Sequence, residues 1–469
     1  MSEELAYKTI SELSSLIQTK EISPVELTEA VLNRAERLNE KIHAYIHIHR
    51  DDALRDAKQA EQEINTGTYR GPMHGIPVAM KDMFAFKDWI RTMGSNIHPD
   101  KPAGYDATVV ARLKEAGAIF TGTLHMTEYA MSGSSNPKYG ICKNPWNLDY
   151  FPGGSSTGSG AALAADMVIG SVGSDTGGSV RNPSSWSGVV SLKPTYGRIS
   201  KYGVFPVSWT YDHLGPMGKN VKDVAHIFEA IAGYDPKDSS TRAEQVPKIS
   251  EHLSKDITGL TIGIDEEHFF SQIHPEVDSV VRKAIMRLEE MGANVKRVKV
   301  PYVEYTNFVE IVTAYSEAAT IHQHSLRERP EDFGDDVQAS LYFGHLFNST
   351  DYTLAQHLRR KMTEGFTEVF REVDVLIAPS TPIPAPSFKD REKMFEKENN
   401  HVPDFKERGT RLSSPANAAG IPSISIPCGF VNDLPIGIQM MGKFFDEQTL
   451  FNIAYAYEQA YPLNRKPDL

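Results

Sequence analysis

The sequence predicts an α/β fold, a large mixed β-sheet covered by helices on both faces. Three observations carry the prediction. Short apolar runs of strand length alternate with longer segments whose apolar residues recur at helical spacing. The 469 residues suffice for a large core with no disulfide or metal to hold it. Neither an internal repeat nor a low-complexity segment interrupts the alternation. Strands buried on both faces read as continuous apolar runs, so helices must lie on both sides of the sheet.

The elements follow in chain order. Thr9 with Glu12, and Ser23 with Glu26, are capping-box pairs, and Pro24 takes the first helical position after Ser23. Leu27, Ala30, Val31, Arg34, Ala35 and Leu38 then form one stripe, so residues 1–68 read as helical, broken by a strand near Ala44 to His49. Gly75 to Met80 is a buried strand running into Lys81 and Asp82. Residues 107–122 read as helix, glycine stop and strand, and Asn136 to Asn147 as a loop. Ala161 to Met167 is a short helix and Val168 to Val172 a strand. Val221 to Gly233 is helical, and the polar, turn-rich Asp235 to Pro247 is the best candidate for an internal boundary. A strand (Leu260 to Ile264), a helix (Pro275 to Met291) and a strand (Asn294 to Val300) come next. Helical patterns cover 303–325 and 351–372, and Val373 to Ala378 is a short buried strand. The charged stretch Lys389 to Arg408 reads as a solvated loop or exposed helix. Strands at Ser423 to Cys428 and Pro435 to Met441 and a helix at Glu447 to Ala460 close the chain. The expectation is a single domain over 1–469. Within it, residues 1–68 form a helical region, 69–220 a core that carries the chemistry, and 221–469 a region that shapes the substrate pocket.

Charge excludes some partners. Lys plus Arg is 49 against 61 Asp plus Glu, a net charge of −12, which gives no electrostatic case for direct contact with nucleic acid or an anionic membrane. Cys142 and Cys428 are too few for a disulfide framework and suit a reducing cytosol. MSEELAYKTI lacks a basic n-region and an apolar h-region, and no apolar run reaches membrane-spanning length. The expected location is cytoplasmic and the expected partner a small molecule, with a homodimer compatible. His47 and His49, and His322 and His324, share a His-x-His spacing. With no HExxH or carboxylate motif beside them, they read as solvated or core histidines rather than metal ligands.

Two glycine-rich segments concentrate the chemistry, Gly153-Gly154-Ser155-Ser156 and Thr176-Gly177-Gly178-Ser179. Glycine loses the most backbone entropy on folding, so clusters of it in a core-like stretch need a reason. Either segment alone is commonly a linker or turn. Followed by serine, each also fits a backbone that must come close to a reacting group. A serine hydroxyl does not ionise near neutral pH, so a base must take its proton. No Ser-His-Asp spacing stands out. A lysine serves if burial keeps its amine neutral, and Lys81 ends an apolar strand where a snorkelling surface lysine is the ordinary reading. Gly154 to Gly158 also satisfies G-x-S-x-G, which would make Ser156 the nucleophile, but no sharp strand-to-helix turn with a later acid and histidine accompanies it.

Taken together, Gly75-Ile76-Pro77-Val78-Ala79-Met80-Lys81-Asp82, both glycine-serine segments and the run Gly188 to Arg198 resemble the amidase signature hydrolases. The resemblance spans essentially the whole chain and is strongest over 71–220. It implies Ser179 as nucleophile, Ser155 as the bridging serine after a cis Gly154–Ser155 bond, and Lys81 as terminal base. It also implies that the N–H groups of Thr176, Gly177, Gly178 and Ser179 face the developing oxyanion, while Asp175 and Arg181 hold the loop in shape. The implied substrate is a small-molecule carboxylic amide, split to acid plus ammonia or amine through an acyl-enzyme, without cofactor or metal. Pocket walls are expected from Tyr129 to Ser132 (Tyr129, Met131 and Ser132), Trp209 to Asp212 and 305–345. Thr157, Trp186 and Ser187 depart from the family pattern and bear on pocket shape rather than on the reaction.

Two kinds of family member come into question. Lys193 to Pro216 resembles the A subunits of glutamyl-tRNA(Gln) and aspartyl-tRNA(Asn) amidotransferases, which act as glutaminases. Arg359 falls where those subunits use an arginine on the glutamine carboxylate. Thr410, however, stands where they use an aspartate on its amino group, and residues 314–337 lack their Phe-Asp-Gly run. The expectation is therefore a free-standing hydrolase, with the amidotransferase component as the alternative.

Overall fold

The computed structural model describes residues 3–131, 136–395 and 410–469. Its strands are β1 (Tyr45–Ile48), β2 (Pro77–Lys81), β3 (Ile119–Leu124), β4 (Gly170–Asp175), β5 (Val190–Lys193), β6 (His213–Gly218), β7 (Thr261–Ile264), β8 (Asn294–Arg297), β9 (Val375–Pro379), β10 (Ser423–Val431) and β11 (Leu434–Gly442). They join in one 11-stranded sheet in the order β1-β3-β2-β4-β6-β5-β10-β11-β9-β7-β8. β2 runs parallel to β3 and β4, and β7 parallel to β8 and β9. The other pairings are antiparallel, so the sheet is mixed, as the sequence predicts. Strands from both sides of Asp235 to Pro247 enter this one sheet. Asp235 itself is buried and accepts from Thr108 Oγ1 at 2.5 Å and Ser200 Oγ at 2.6 Å.

β4 shows how the faces are covered. Residues three apart on a strand point to opposite faces. A Cβ at Gly170 would stand 2.7 Å from Ile227 Cδ1, on the helix Val221–Ile231. One at Gly173 would stand 2.6 Å from Ser156 Oγ and 3.0 Å from Val180. One face therefore packs directly on a helix, and the other on the two glycine-serine segments. Glycine in this strand makes both approaches possible.

Both predicted capping boxes form. Thr9 N donates to Glu12 Oε2 at 2.8 Å, and Ser23 N to Glu26 Oε2 at 3.0 Å, with Pro24 opening the helix Pro24–Ile42. The helical pattern over 303–325 is broken in the structure. A 3-10 turn (Val303–Tyr305), the helix Thr306–Glu310, a π-helical turn (Ile311–Tyr315) and the helix Ser316–Glu328 follow one another. β5, β6 and the short helices Arg181–Ser187 and Ser414–Ala419 have no counterpart in the sequence reading. β6 reads HLGPMG, and its proline and glycines hide it. On its β6 side β5 pairs only with Met217 and Gly218, so that ladder ends before Pro216. Lys389 to Arg408 begins within the helix Phe388–Phe395, and residues 396–409 lie outside the described ones. Among the described residues no helix is long and apolar enough to cross a membrane. Cys142 and Cys428 are both buried and unpaired.

Candidate active site

The parallel strands β2 and β4 end on the same side of the sheet, where open α/β sheets bind ligands. Lys81 is the last residue of β2 and is fully buried. Its Nζ lies 2.6 Å from Ser155 Oγ and 2.8 Å from Ser174 Oγ. Burial pushes the Lys81 amine down to about 7, against the opposing pull of Asp212 and Asp175. Ser155 is buried, and the Gly154–Ser155 peptide bond is cis. Ser179 is only partly buried, so of the three it is the one open to a substrate. The two glycine-serine segments are tied together, with Ser156 N donating to Ser179 O at 3.2 Å. The Ser156 side chain is fully buried and donates to Ser174 O at 3.3 Å.

The Thr176–Ser179 turn is held from beneath. Asp175 ends β4 and accepts from Gly178 N at 2.8 Å, Val180 N at 3.2 Å and Asn417 Nδ2 at 2.7 Å. Arg181 pairs with Asp175 at 3.0 Å, and both side chains are fully buried. Burial opposes the charge on Asp175, but Arg181 and Asn417 outweigh it and hold the carboxyl well below its usual range. Arg181 also donates to Ser413 O at 2.8 Å, Asn417 Oδ1 at 2.6 Å and Gln439 Oε1 at 3.1 Å. The Gly178 amide is thus committed to Asp175 rather than to an oxyanion. Gly178 has φ +124°, and a Cβ there would collide with Ser413 Oγ. The amides of Thr176, Gly177 and Ser179 donate to no acceptor among the described residues. The Thr176 hydroxyl donates to Asp212 Oδ1 at 2.7 Å, and Asp212 Oδ2 accepts from Val207 N and Ser208 N.

The other residues singled out are held by contacts of their own. Tyr129 is buried; its hydroxyl donates to Ile97 O, and its ring packs on His322 at 4.2 Å, Phe205 at 5.4 Å and Phe333 at 5.8 Å. Met131 is buried and its carbonyl accepts from Thr127 Oγ1 at 2.8 Å. Ser132 lies outside the described residues. Arg359 donates from Nε to Ala418 O at 2.9 Å, from Nη1 to Thr210 Oγ1 at 3.2 Å and from Nη2 to Thr210 O at 2.6 Å. Three of its five N–H groups therefore fix its place beside Tyr211. His49 stacks on Trp89 at 3.8 Å, and His324 is exposed beside Glu328.

Sequence reasoning missed Ser174, Ser413, Asn417 and Gln439, and marked Asp212 only as part of the pocket wall Trp209 to Asp212. Ser174 left one signal, a hydroxyl two residues beyond Val172 on the same face of a buried strand. The rest converge only through the fold. A cavity of about 370 Å³ lies elsewhere, lined in part by Trp146, Lys219, Phe430 and Arg465. It holds neither serine nor Lys81, and the buried lysine between two hydroxyls marks the chemistry better than cavity size does.

A model of the Amidase family matches residues 26–451. The chain is 36% identical over 480 residues to the A subunit of the glutamyl-tRNA(Gln) amidotransferase from Sulfurihydrogenibium sp., covering 97% of each chain. Among solved structures it is similar to one describing a vestigial protein complex and the evolutionary origins of an s-triazine catabolic enzyme. That match has a TM-score of 0.91 and 32% identity over 98% of this chain and 100% of the other. It is also similar to the native peptide amidase of Stenotrophomonas maltophilia, with a TM-score of 0.85 and 26% identity over 98% of each chain.

Proposed function

Because the chain belongs to the amidase family, we propose that this amide hydrolase cleaves a small carboxylic amide with Ser179 as nucleophile, Ser155 as proton relay and Lys81 as base. One observation carries the assignment: a fully buried lysine amine 2.6 Å from the Ser155 hydroxyl. With its amine held to about 7 by burial, Lys81 is in large measure neutral at physiological pH and offers a lone pair. Ser174 Oγ accepts one of its N–H groups and aims that lone pair at Ser155. Ser155 then passes its proton to Lys81 and takes that of Ser179, whose oxygen attacks the amide carbon. The amides of Thr176, Gly177 and Ser179 receive the charge that builds on the carbonyl oxygen. The proton returns through Ser155 to the leaving nitrogen, leaving an acyl-enzyme on Ser179 that water hydrolyses by the same relay. Residues 1–469 act as one amidase unit in this scheme.

Two substrate readings differ in how much supports them. The curated relatives favour the amidotransferase reading, in which the chain frees ammonia from glutamine alongside partner subunits, over the free-standing hydrolase expected from the sequence. One residue favours the free-standing hydrolase: Thr410 in place of the aspartate on the glutamine amino group. Ammonia release from glutamine and from neutral amides, with the chain alone and with partner subunits present, separates them. Turnover of glutamine only when partners are present supports the amidotransferase reading. Turnover of neutral amides by the chain alone supports the free hydrolase.

A further inference from the structure

A carboxylate stands against the Thr176–Ser179 turn, within the segment 305–345 that the sequence marks as a pocket wall. Glu310 ends the helix Thr306–Glu310, where the chain enters the π-helical turn Ile311–Tyr315. π-Bulges shift the register of a helix and recur at functional sites. A Cβ at Gly177 would collide with Glu310 Oε1 and would lie 3.5 Å from Thr410 Cγ2. Glu310 and Thr410 therefore reach the same point of the turn from two different segments. Tyr211 packs in one buried apolar cluster with Val309, the residue before Glu310, and the Arg359 guanidinium sits 5.0 Å above the Tyr211 ring. Burial first, and then the charge of Glu310, push the Tyr211 hydroxyl up, while Arg359 opposes them. A carboxylate and a guanidinium thus flank one buried tyrosine beside the turn. That pairing complements a zwitterion, the carboxylate facing an ammonium and the guanidinium a carboxylate.

We propose that Glu310 binds an ammonium group on the acyl portion of the substrate, at the point of the turn that Thr410 also reaches. The preferred substrates are then amides of amino acids that carry a free amino group, glutamine among them. The proposal rests on the Ser179 hydrolysis reading, but Glu310 binding can be read without turnover. The probe pair is glutamine and glutaramate, which keeps the amide and the carboxylate but lacks the amino group. Calorimetry on the full chain carrying Ser179→Ala should give glutamine an affinity roughly tenfold or more above glutaramate. Adding Glu310→Gln, which preserves shape, should bring that ratio towards one, and adding Thr410→Asp to the double variant should restore it. Equal affinities, no binding of either compound, or a ratio unmoved by Glu310→Gln overturns the assignment. Ammonia release by the unsubstituted chain, alone and with partner subunits, is scored separately. Selective glutamine binding without any ammonia would leave Glu310 in place and sink the hydrolysis reading.

Discussion

Burial decides the state of Lys81, and with it the direction of the pH dependence. Desolvation disfavours the ammonium form and brings the amine to about 7. Above that pH the lone pair is free to take a proton; below it the lysine is charged and the proposed relay stops. kcat/KM should fall on the acid side with a midpoint near pH 7, and a profile flat to pH 5 would contradict the lysine base. Lys81→Ala should lower kcat/KM by on the order of 10²–10⁴, as general-base removal does. Asp175 and Arg181 make a different prediction. Arg181→Leu leaves a charged Asp175 buried with no guanidinium, so urea titration should show a loss of about 3–5 kcal/mol. A loss below about 1 kcal/mol would mean the pair does not hold the turn. Lys81, Ser155 and Ser179 were legible because each sits in a compact local motif. Ser174 was not, because only strand register sets it beside Lys81, and Asp212 was legible only as a pocket-wall residue, its bond to Thr176 being made by the fold.

The glycine-rich turn is the element on which the site depends. Gly178 has φ +124° and no room for a Cβ beside Ser413, so Gly178→Ala must move the turn. Activity should fall by at least an order of magnitude while thermal melting drops only modestly. Unaltered kcat/KM would show that the turn does not set the reacting geometry. A helix cap gives a milder test remote from the site. Ser23 caps Pro24–Ile42 and also donates to Glu61, so Ser23→Ala should cost about 1 kcal/mol in urea unfolding. Elements of this kind were legible from sequence, since a capping box is a local chemical signature. The break at Ile311–Tyr315 was not, because apolar residues continue across it and only backbone hydrogen bonding distinguishes the wider turn.

For the molecule as a whole, the sheet supplies the framework that sets three distant segments against each other. β2 brings Lys81, the loop after Phe151 brings Ser155, and the turn after β4 brings Ser179. The alternation of strands and helices made the α/β class legible, but strand order was not. β4 pairs with β6 and β5 with β10, and such long-range pairings leave no periodicity in the chain. β5 and β6 escaped for the same reason, being short and, in β6, interrupted by proline and glycine. Everything in the proposed chemistry turns on Ser179 carrying the acyl group. Intact-mass analysis of the full chain treated with a fluorophosphonate serine probe, followed by peptide mapping, tests that claim most directly. One adduct per chain at Ser179, slowed in Lys81→Ala and absent in Ser179→Ala, is the predicted result. An adduct at Ser156, or labelling that persists after Ser179→Ala, would contradict it.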